Sequence, residues 1–510
     1  VVPDSKKAFM GKHAFKKALV AIVLMALALI SFQRFFQVAQ RHLTTPYDLK
    51  MESHNLVTIK AIDSGHRIYD ASFFGDVPFV ITIYNPLYFL VVAAFPPHPL
   101  SPFFTGRLVS MISSLLVLCL LFFPGQNRDP FQRFAPFPAL ILLLTLPIFV
   151  QSAIYTHPDM LALFLAGSAI VLVEKSTRAP IVVISSLLAF LAFATKQTFI
   201  CALFATFLFL LFMERRKACL YAGTSLLFLG GLFFIVPAIW GQGYLFSTLS
   251  SILGHPSFLT LTVERLGELF HQPMFVLLAA SSGFSVGYTA IKHKEACRDN
   301  PYLIYMEITA LAPLVGLGKI GGEASYYLEF MLASLLWLVF FTRRFMKELP
   351  VKYFLVFLAS LAAAFFLDFC LNGPSGYCLT KHPSNQYFER PFSDQLRKEI
   401  KALKPQNTNF LVLNTHILCP LFQRPHFNDP YNYWLMWNCG IMTPGAMIQR
   451  IQSKYFSVII YASPKNPYHI PAMNPIPTTP ATAKMFQAIN ENYRLAFVGV
   501  VSYFVPLEER

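Results

Sequence analysis

The stretch FVITIYNPLYFLVVAAF, residues 79–95, decides how the rest of the chain is laid out. It is apolar along nearly its whole length and close to the shortest run that crosses a bilayer, yet it carries Asn85-Pro86 inside it and ends in PPHPLSP. Read as a span, it moves every later loop to the opposite side of the membrane. Read as a segment lying in the interface, with Tyr84, Tyr88 and Phe89 at headgroup level, it leaves the order of sides unchanged.

The basic residues choose between these readings. Lys6, Lys7, Lys12, Lys16 and Lys17 precede an apolar run at 18–32, which puts the N-terminus inside. If 79–95 crosses, the clusters Arg215-Arg216-Lys217, Lys292/Lys294/Arg298 and Arg343/Arg344/Lys347 all fall outside, against the positive-inside tendency. If it lies in the interface, all three join the N-terminus inside. With later apolar segments at 107–123, 134–155, 160–173, 180–195, 198–213, 219–240, 273–291, 302–317, 326–341 and 353–372, the expectation is a polytopic α-helical membrane protein of about eleven transmembrane helices. Residues 1–372 form the membrane module, 33–106 its first outer loop with interfacial helices, and 373–510 a small extracytoplasmic α/β domain.

Composition agrees with that class. A chain of 510 residues that is 55% hydrophobic, 13% charged and carries 52 Phe has more apolar surface than a soluble fold of its length buries. The net charge of +15 is parcelled into short loop clusters, the pattern of membrane topology rather than of nucleic-acid binding. The eight Cys form no CxxC pair, so no metal framework is implied. The first apolar run, with no small-residue cleavage site after it, reads as a retained anchor, and the chain starts without Met.

The interfacial reading brings the polar residues to one outer face. There lie PYDLKMESHNLVTIKAIDSGHRIY at 46–69, His157-Pro158-Asp159, Lys196-Gln197, the loop 241–272, the segment 319–327 and the C-terminal domain. In the first of these, Asp48, Glu52 and Asn55 share a face if the run is helical, and Gly65 is the natural stop. Asp159, Lys196 and Glu329 sit at span ends, where charge near hydrocarbon costs about 2.5–3.5 kcal/mol at a helix centre and marks a cavity. Glu329, one turn into its span, is hard to explain as decoration, but the others have a plainer reading. Asp159 caps the following helix, Lys196 snorkels, Arg107 anchors at the interface and His157 is a hydrogen-bonded structural residue.

In order along the chain, PYDLKMESHNLVTIKAIDSGHRIY, YNPLYF, GRLVS, HPDMLALFL, TKQTF and GGEASYYLE make a set that resembles the GT-C superfamily of membrane glycosyltransferases over about residues 15–345, nearest to bacterial aminoarabinose and protein O-mannosyl transferases. The resemblance implies transfer of a sugar, with inversion, from a polyprenyl-phosphate donor to a lipid, glycan or protein acceptor at the outer face of a bacterial inner membrane. It makes Asp48 the base, Glu52 its support and Asp159 a further acid of the cavity. Lys196 and Arg107 would hold the donor phosphate, with His157, Gln197, Tyr326 and Glu329 lining the cavity. Asp48 and Glu52 are not adjacent acids, and His157 stands where the family often has Arg. No carboxylate cluster is formed for a divalent metal, so the reading is metal-independent and without a cofactor.

After residue 372 the chain turns polar. Residues 393–404 read as an amphipathic helix, 410–413 and 457–461 as buried strands, and Thr443-Pro444 as a helix start. Cys419 and Cys439 would lie on an oxidising side, which permits a disulfide. No N-x-S/T sequon is present, which favours a bacterial envelope over the secretory pathway. Two rival readings stand beside the enzyme. One is a transporter or flippase of lipid-linked sugars, against which the chain shows no paired repeat. The other is a receptor or scaffold, which leaves the span-end charges without a purpose.

Overall fold

The computed structural model describes residues 4–45, 52–99, 101–124, 133–319, 323–345, 348, 351–372, 409–413, 425–426, 433, 436–437, 439–461, 480–498 and 502–507. It opens on a long helix α1 (Asp4–Leu43), followed by α2 (Glu52–Asp63), α3 (Ala71–Gly75) and α4 (Leu87–Ala93). The main bundle continues with α5 (Phe104–Leu120), α6 (Pro136–Thr145), α7 (Pro147–Ile154), α8 (Asp159–Lys175), α9 (Ala179–Thr195), α10 (Cys201–Met213) and α11 (Arg215–Trp240). A π-helical turn at Phe246–Ser250 leads into the single turn α12 (Ser251–Leu253), then α13 (Leu259–Phe270), α14 (Pro273–Lys292), α15 (Lys294–Arg298), α16 (Pro301–Leu317), α17 (Leu328–Phe345) and α18 (Val351–Asn372).

The expected eleven spans are not reached. Among the described residues four helical stretches are long and apolar enough to cross a membrane, Val20–Leu43, Arg215–Trp240, Pro273–Lys292 and Ala324–Phe345. The pair α6 and α7, bent by 72° at Leu146-Pro147, makes a fifth if it counts as one span. Most of the other expected spans are helices of 10–17 residues, short of the roughly 20 residues a bilayer core requires. Pro147 explains the bend, since it cannot donate back into α6 and forces Leu146 to extended geometry. The result is a multi-span, mostly helical membrane protein. Residues 79–95 hold only the seven-residue α4, too short to cross, and α1 runs unbroken to Leu43, well into the expected loop.

Helix contacts in this bundle use small and hydroxyl residues, as expected where lipid competes for apolar surface. A Cβ on Gly167 of α8 would lie 2.7 Å from Leu332 of α17 and 2.8 Å from Leu120 of α5, so these helices approach through glycine. Ser185 Oγ of α9 donates to Ala169 O of α8 at 2.9 Å, Ser186 and Ser225 pair at 2.9 Å across α9 and α11, and Trp337 Nε1 donates to Ser285 Oγ at 2.8 Å.

The C-terminal unit is a mixed five-stranded sheet in the order β2-β1-β3-β5-β4, with β1 (Phe410–Val412), β2 (Pro425–His426), β3 (Val458–Tyr461), β4 (Tyr493–Val498) and β5 (Ser502–Pro506). Strand β1 is parallel to β2 and β3, and β5 is antiparallel to β3 and β4. Helices α19 (Gly445–Gln452) and α20 (Pro480–Asn492) cover it. The strands at 410–412 and 458–461 and the helix after Thr443-Pro444 match the sequence reading; the helix expected at 393–404 lies outside the described residues. So does Cys419, while Cys439 is an exposed free thiol.

This unit grips the first loop. Phe74, Phe79 and Ile81 enter its core beside Met436, Met447 and Ile451. Tyr433 OH donates to Phe74 O at 2.7 Å, and Arg450 forks onto Asp76 at 2.9 and 2.7 Å. That hydrogen-bonded guanidinium holds the Asp76 carboxyl below its usual range.

Candidate active site

Helix α2 ends where the sequence says it should, with Gly65 at φ +75°, a conformation that a side chain would strain. Its first residue, Glu52, is fully buried. The carboxylate accepts from Arg107 Nε at 2.9 Å and Nη2 at 2.5 Å, and from the Thr156 backbone N–H at 2.6 Å. The remaining Arg107 nitrogen, Nη1, donates to His42 O at 2.6 Å and Thr45 O at 2.5 Å. One ion pair therefore ties the end of α1, the start of α2, helix α5 and the loop before α8. Gly106 makes room for this, since a Cβ there would sit 2.2 Å from Thr156 Cγ2. Asp48, four residues before Glu52, lies outside the described residues.

The same loop leads to the second pair. His157 and Pro158 bring Asp159 to the start of α8, where a carboxylate also meets the helix dipole favourably. Lys196, just past the end of α9, donates from Nζ to Asp159 Oδ1 at 2.7 Å. The other carboxylate oxygen lies 3.5 Å from His157 Nδ1. The ammonium stands 5.3 Å from the Tyr84 ring centre and 5.8 Å from that of Tyr326, an aromatic sleeve that favours a cation. His54 and His157 meet edge to face at 5.9 Å, and Asn55 Nδ2 donates to Thr156 O at 2.8 Å, so α2 braces the loop from beneath.

The segment that decided the layout builds the other wall. Asn85 Nδ2 donates to Phe193 O at 2.6 Å and its Oδ1 accepts from Tyr244 OH at 2.7 Å, while Tyr69 OH donates to Tyr84 O at 2.6 Å. Gln197 Nε2 bridges Ile83 O at 2.7 Å and Thr248 O at 3.0 Å. Asn85 thus links the extended run to α9 and to residue 244, which is why a polar residue interrupts an apolar stretch.

Asp159 and His157 open onto a cavity of 270 Å³ whose wall also includes Gln151, Arg265, Glu268, Gln272, Glu323 and Ser325. Arg265 reaches in from α13 and donates through Nη1 to Lys319 O at 2.7 Å and to Leu317 O. Of the expected site residues, the structure gathers His157, Asp159, Lys196, Gln197 and Tyr326 into one neighbourhood. Glu52 and Arg107 pair with each other instead, and Glu329 is buried between α16 and α17, accepting from Tyr305 OH at 2.7 Å. Sequence reading missed Arg265 and Glu268, although their three-residue spacing in LTLTVERLGELF is the mark of a polar helix face. Among the described residues no three His, Cys, Asp or Glu side chains group to hold a metal ion.

Compared with solved structures, the chain shares its fold with two membrane proteins at 12–14% identity. It is similar to ArnT from Cupriavidus metallidurans bound to undecaprenyl phosphate, with a TM-score of 0.61 at 13% identity over 95% of this chain and 97% of that one. The same protein in its apo state gives a TM-score of 0.59 at 12% identity. The archaeal oligosaccharyltransferase AglB from Archaeoglobus fulgidus, in complex with an inhibitory peptide and a dolichol-phosphate, gives 0.53 at 14% identity over 96% of this chain and 74% of that one. No family model matches the chain, and no curated protein matches it either.

Proposed function

We propose that this protein is a membrane glycosyltransferase that moves a sugar from a polyprenyl-phosphate donor to a lipid, glycan or protein acceptor, by inverting displacement at the outer face of a bacterial inner membrane. The observation that carries this reading is the 270 Å³ cavity with Asp159, His157 and Arg265 in its wall and Lys196 bonded to the Asp159 carboxylate. It occurs in a fold similar over nearly its full length to a protein solved with undecaprenyl phosphate.

In this reading the acceptor hydroxyl gives its proton to Asp48 as its oxygen attacks the anomeric carbon. The bond from that carbon to the phosphate oxygen breaks, and the electron pair leaves with the polyprenyl phosphate. Lys196 and Arg265 hold that phosphate, because departing negative charge needs preorganised cations in a site of low dielectric. Asp159 keeps the Lys196 ammonium in place until donor arrives. Arg107, counted among the phosphate ligands by the sequence pattern, serves here as the brace of Glu52, with three of its nitrogens already donating.

The test is transfer in proteoliposomes supplied with polyprenyl-phosphate sugars, read as polyprenyl phosphate released. Asp48→Asn should abolish release while the protein remains monodisperse; retained turnover removes Asp48 as the base.

A further inference from the structure

The segment at 244–270 is built with two faces. It joins the ends of α11 and α14, both long and apolar enough to cross a membrane, and so lies at one membrane boundary. One face is fastened to the protein. Phe246 stacks on Phe74 at 5.1 Å, Thr248 O accepts from Gln197, and Gly254 fits against Ile441, where a Cβ would come within 2.2 Å of the side chain. Phe258 N donates to Gly318 O at 2.7 Å, and Arg265 hangs on the carbonyls of Leu317 and Lys319.

The opposite face is largely exposed; among the described residues Phe270 meets the Phe275 ring edge to face at 5.5 Å. Leu245, Leu249 and Leu253, four residues apart, keep to one side of the first helical stretch and are all exposed. In α13, Leu259, Val263 and Phe270 repeat the pattern at spacings of four and seven, with Leu259 78% and Val263 62% exposed. The two helices that the segment joins also expose large apolar side chains near it in sequence, Phe234 and Ile239 on α11 and Val276 on α14. A water-facing loop between two spans has no reason to place large aliphatic side chains at helical intervals on its outer face, whereas a helix lying in a membrane boundary requires it.

We propose that the stripe Leu245, Leu249, Leu253, Leu259, Val263 and Phe270 is seated in the phospholipid acyl chains of the leaflet beside the cavity. The lipid then holds α13 in register, so that Arg265 and Glu268 face the cavity while their neighbours face hydrocarbon. If the donor is lipid-linked, as the proposed function has it, it reaches the cavity from this same leaflet past α13; the seating of the stripe does not depend on that reading.

The experiment is tryptophan quenching in nanodiscs made with phospholipids brominated along their acyl chains, after subtraction of the emission from the four native Trp. Val263→Trp and Leu249→Trp should lose most of their added emission to brominated lipid and little to aqueous acrylamide. Glu264→Trp, exposed on the same helix but turned away from the stripe, should do the reverse. All three sites are exposed, so the larger side chain meets no packed neighbour. Quenching of Val263→Trp by acrylamide alone would place the stripe in water, and quenching by neither reagent would mean that a second copy or another protein covers it. Either result overturns the proposal. The readout needs no turnover, so its failure and the failure of the transferase reading are told apart.

Discussion

Two buried ion pairs sit on either end of one short loop, Glu52 with Arg107 and Asp159 with Lys196, and they are built for opposite purposes. Both are nearly or wholly removed from solvent. In the first, a planar guanidinium forks onto the carboxylate and spends its remaining nitrogen on two backbone carbonyls from α1 and the residues after it. Such a pair has nothing left to offer a ligand. In the second, a single ammonium contact is set between two aromatic rings, beside a cavity. An ammonium is a compact charge that changes partners easily, whereas an engaged guanidinium fork resists exchange. Burial alone thus does not mark a site; unspent bonding capacity next to open volume does.

The comparison can be broken most directly at Arg107. Arg107→Ala strands the Glu52 carboxylate and two carbonyls, and should lower the stability of the membrane module by about 3–5 kcal/mol, as for other buried pairs that lose one partner. Thermal unfolding in detergent is the measurement, and a melting point near that of the parent would show that the pair is no brace. Lys196→Met should behave in the reverse manner, reducing transfer by about 10²-fold through loss of phosphate stabilisation. Lys196→Arg should restore little of that, because a planar fork does not fit a sleeve shaped for a point charge. Equal losses of fold in both series would erase the distinction drawn between the two pairs.

Smaller effects sharpen the boundary between them. Gly106→Ala pushes a methyl into Thr156, the residue whose backbone N–H serves Glu52, and should cost about 1–3 kcal/mol as an overpacking change. The smallest expected effect is at the latch to the C-terminal unit. Arg450→Ala removes a half-exposed pair worth about 0–1 kcal/mol. Because Arg450 depresses the Asp76 carboxyl in the folded state, the contribution is fully present above the ordinary carboxylate range and fades as pH falls below about 4. Protease sensitivity of the C-terminal unit followed from pH 7 down to pH 3 should rise only at the acid end in the parent, and should lose that acid-dependent rise in Arg450→Ala.

Much of the architecture is local and was therefore legible. Apolar runs announced most of the bundle helices, Gly65 announced the end of α2, and two short apolar runs marked two strands of the C-terminal sheet. The span count was not legible, because hydropathy reads an apolar run without knowing whether it stays one straight helix. Pro147 breaks one such run by 72°, and several others fold as helices of 17 residues or fewer. Asp159 and Lys196 were suspected separately from their places at span ends, but their contact was not visible across a sequence separation of 37.

What the chain by itself determined, then, is a helical membrane protein with its polar residues collected at segment ends, since hydrocarbon penalises any other placement. Only the tertiary structure decided which charges pair. Glu52 and Arg107 are separated by 55 residues and meet because α2 and α5 pack around the loop before α8, which no local periodicity encodes. The same holds for Arg265, which the sequence placed only in an outer loop at 241–272 and which the fold brings to the wall of a cavity formed by three other segments.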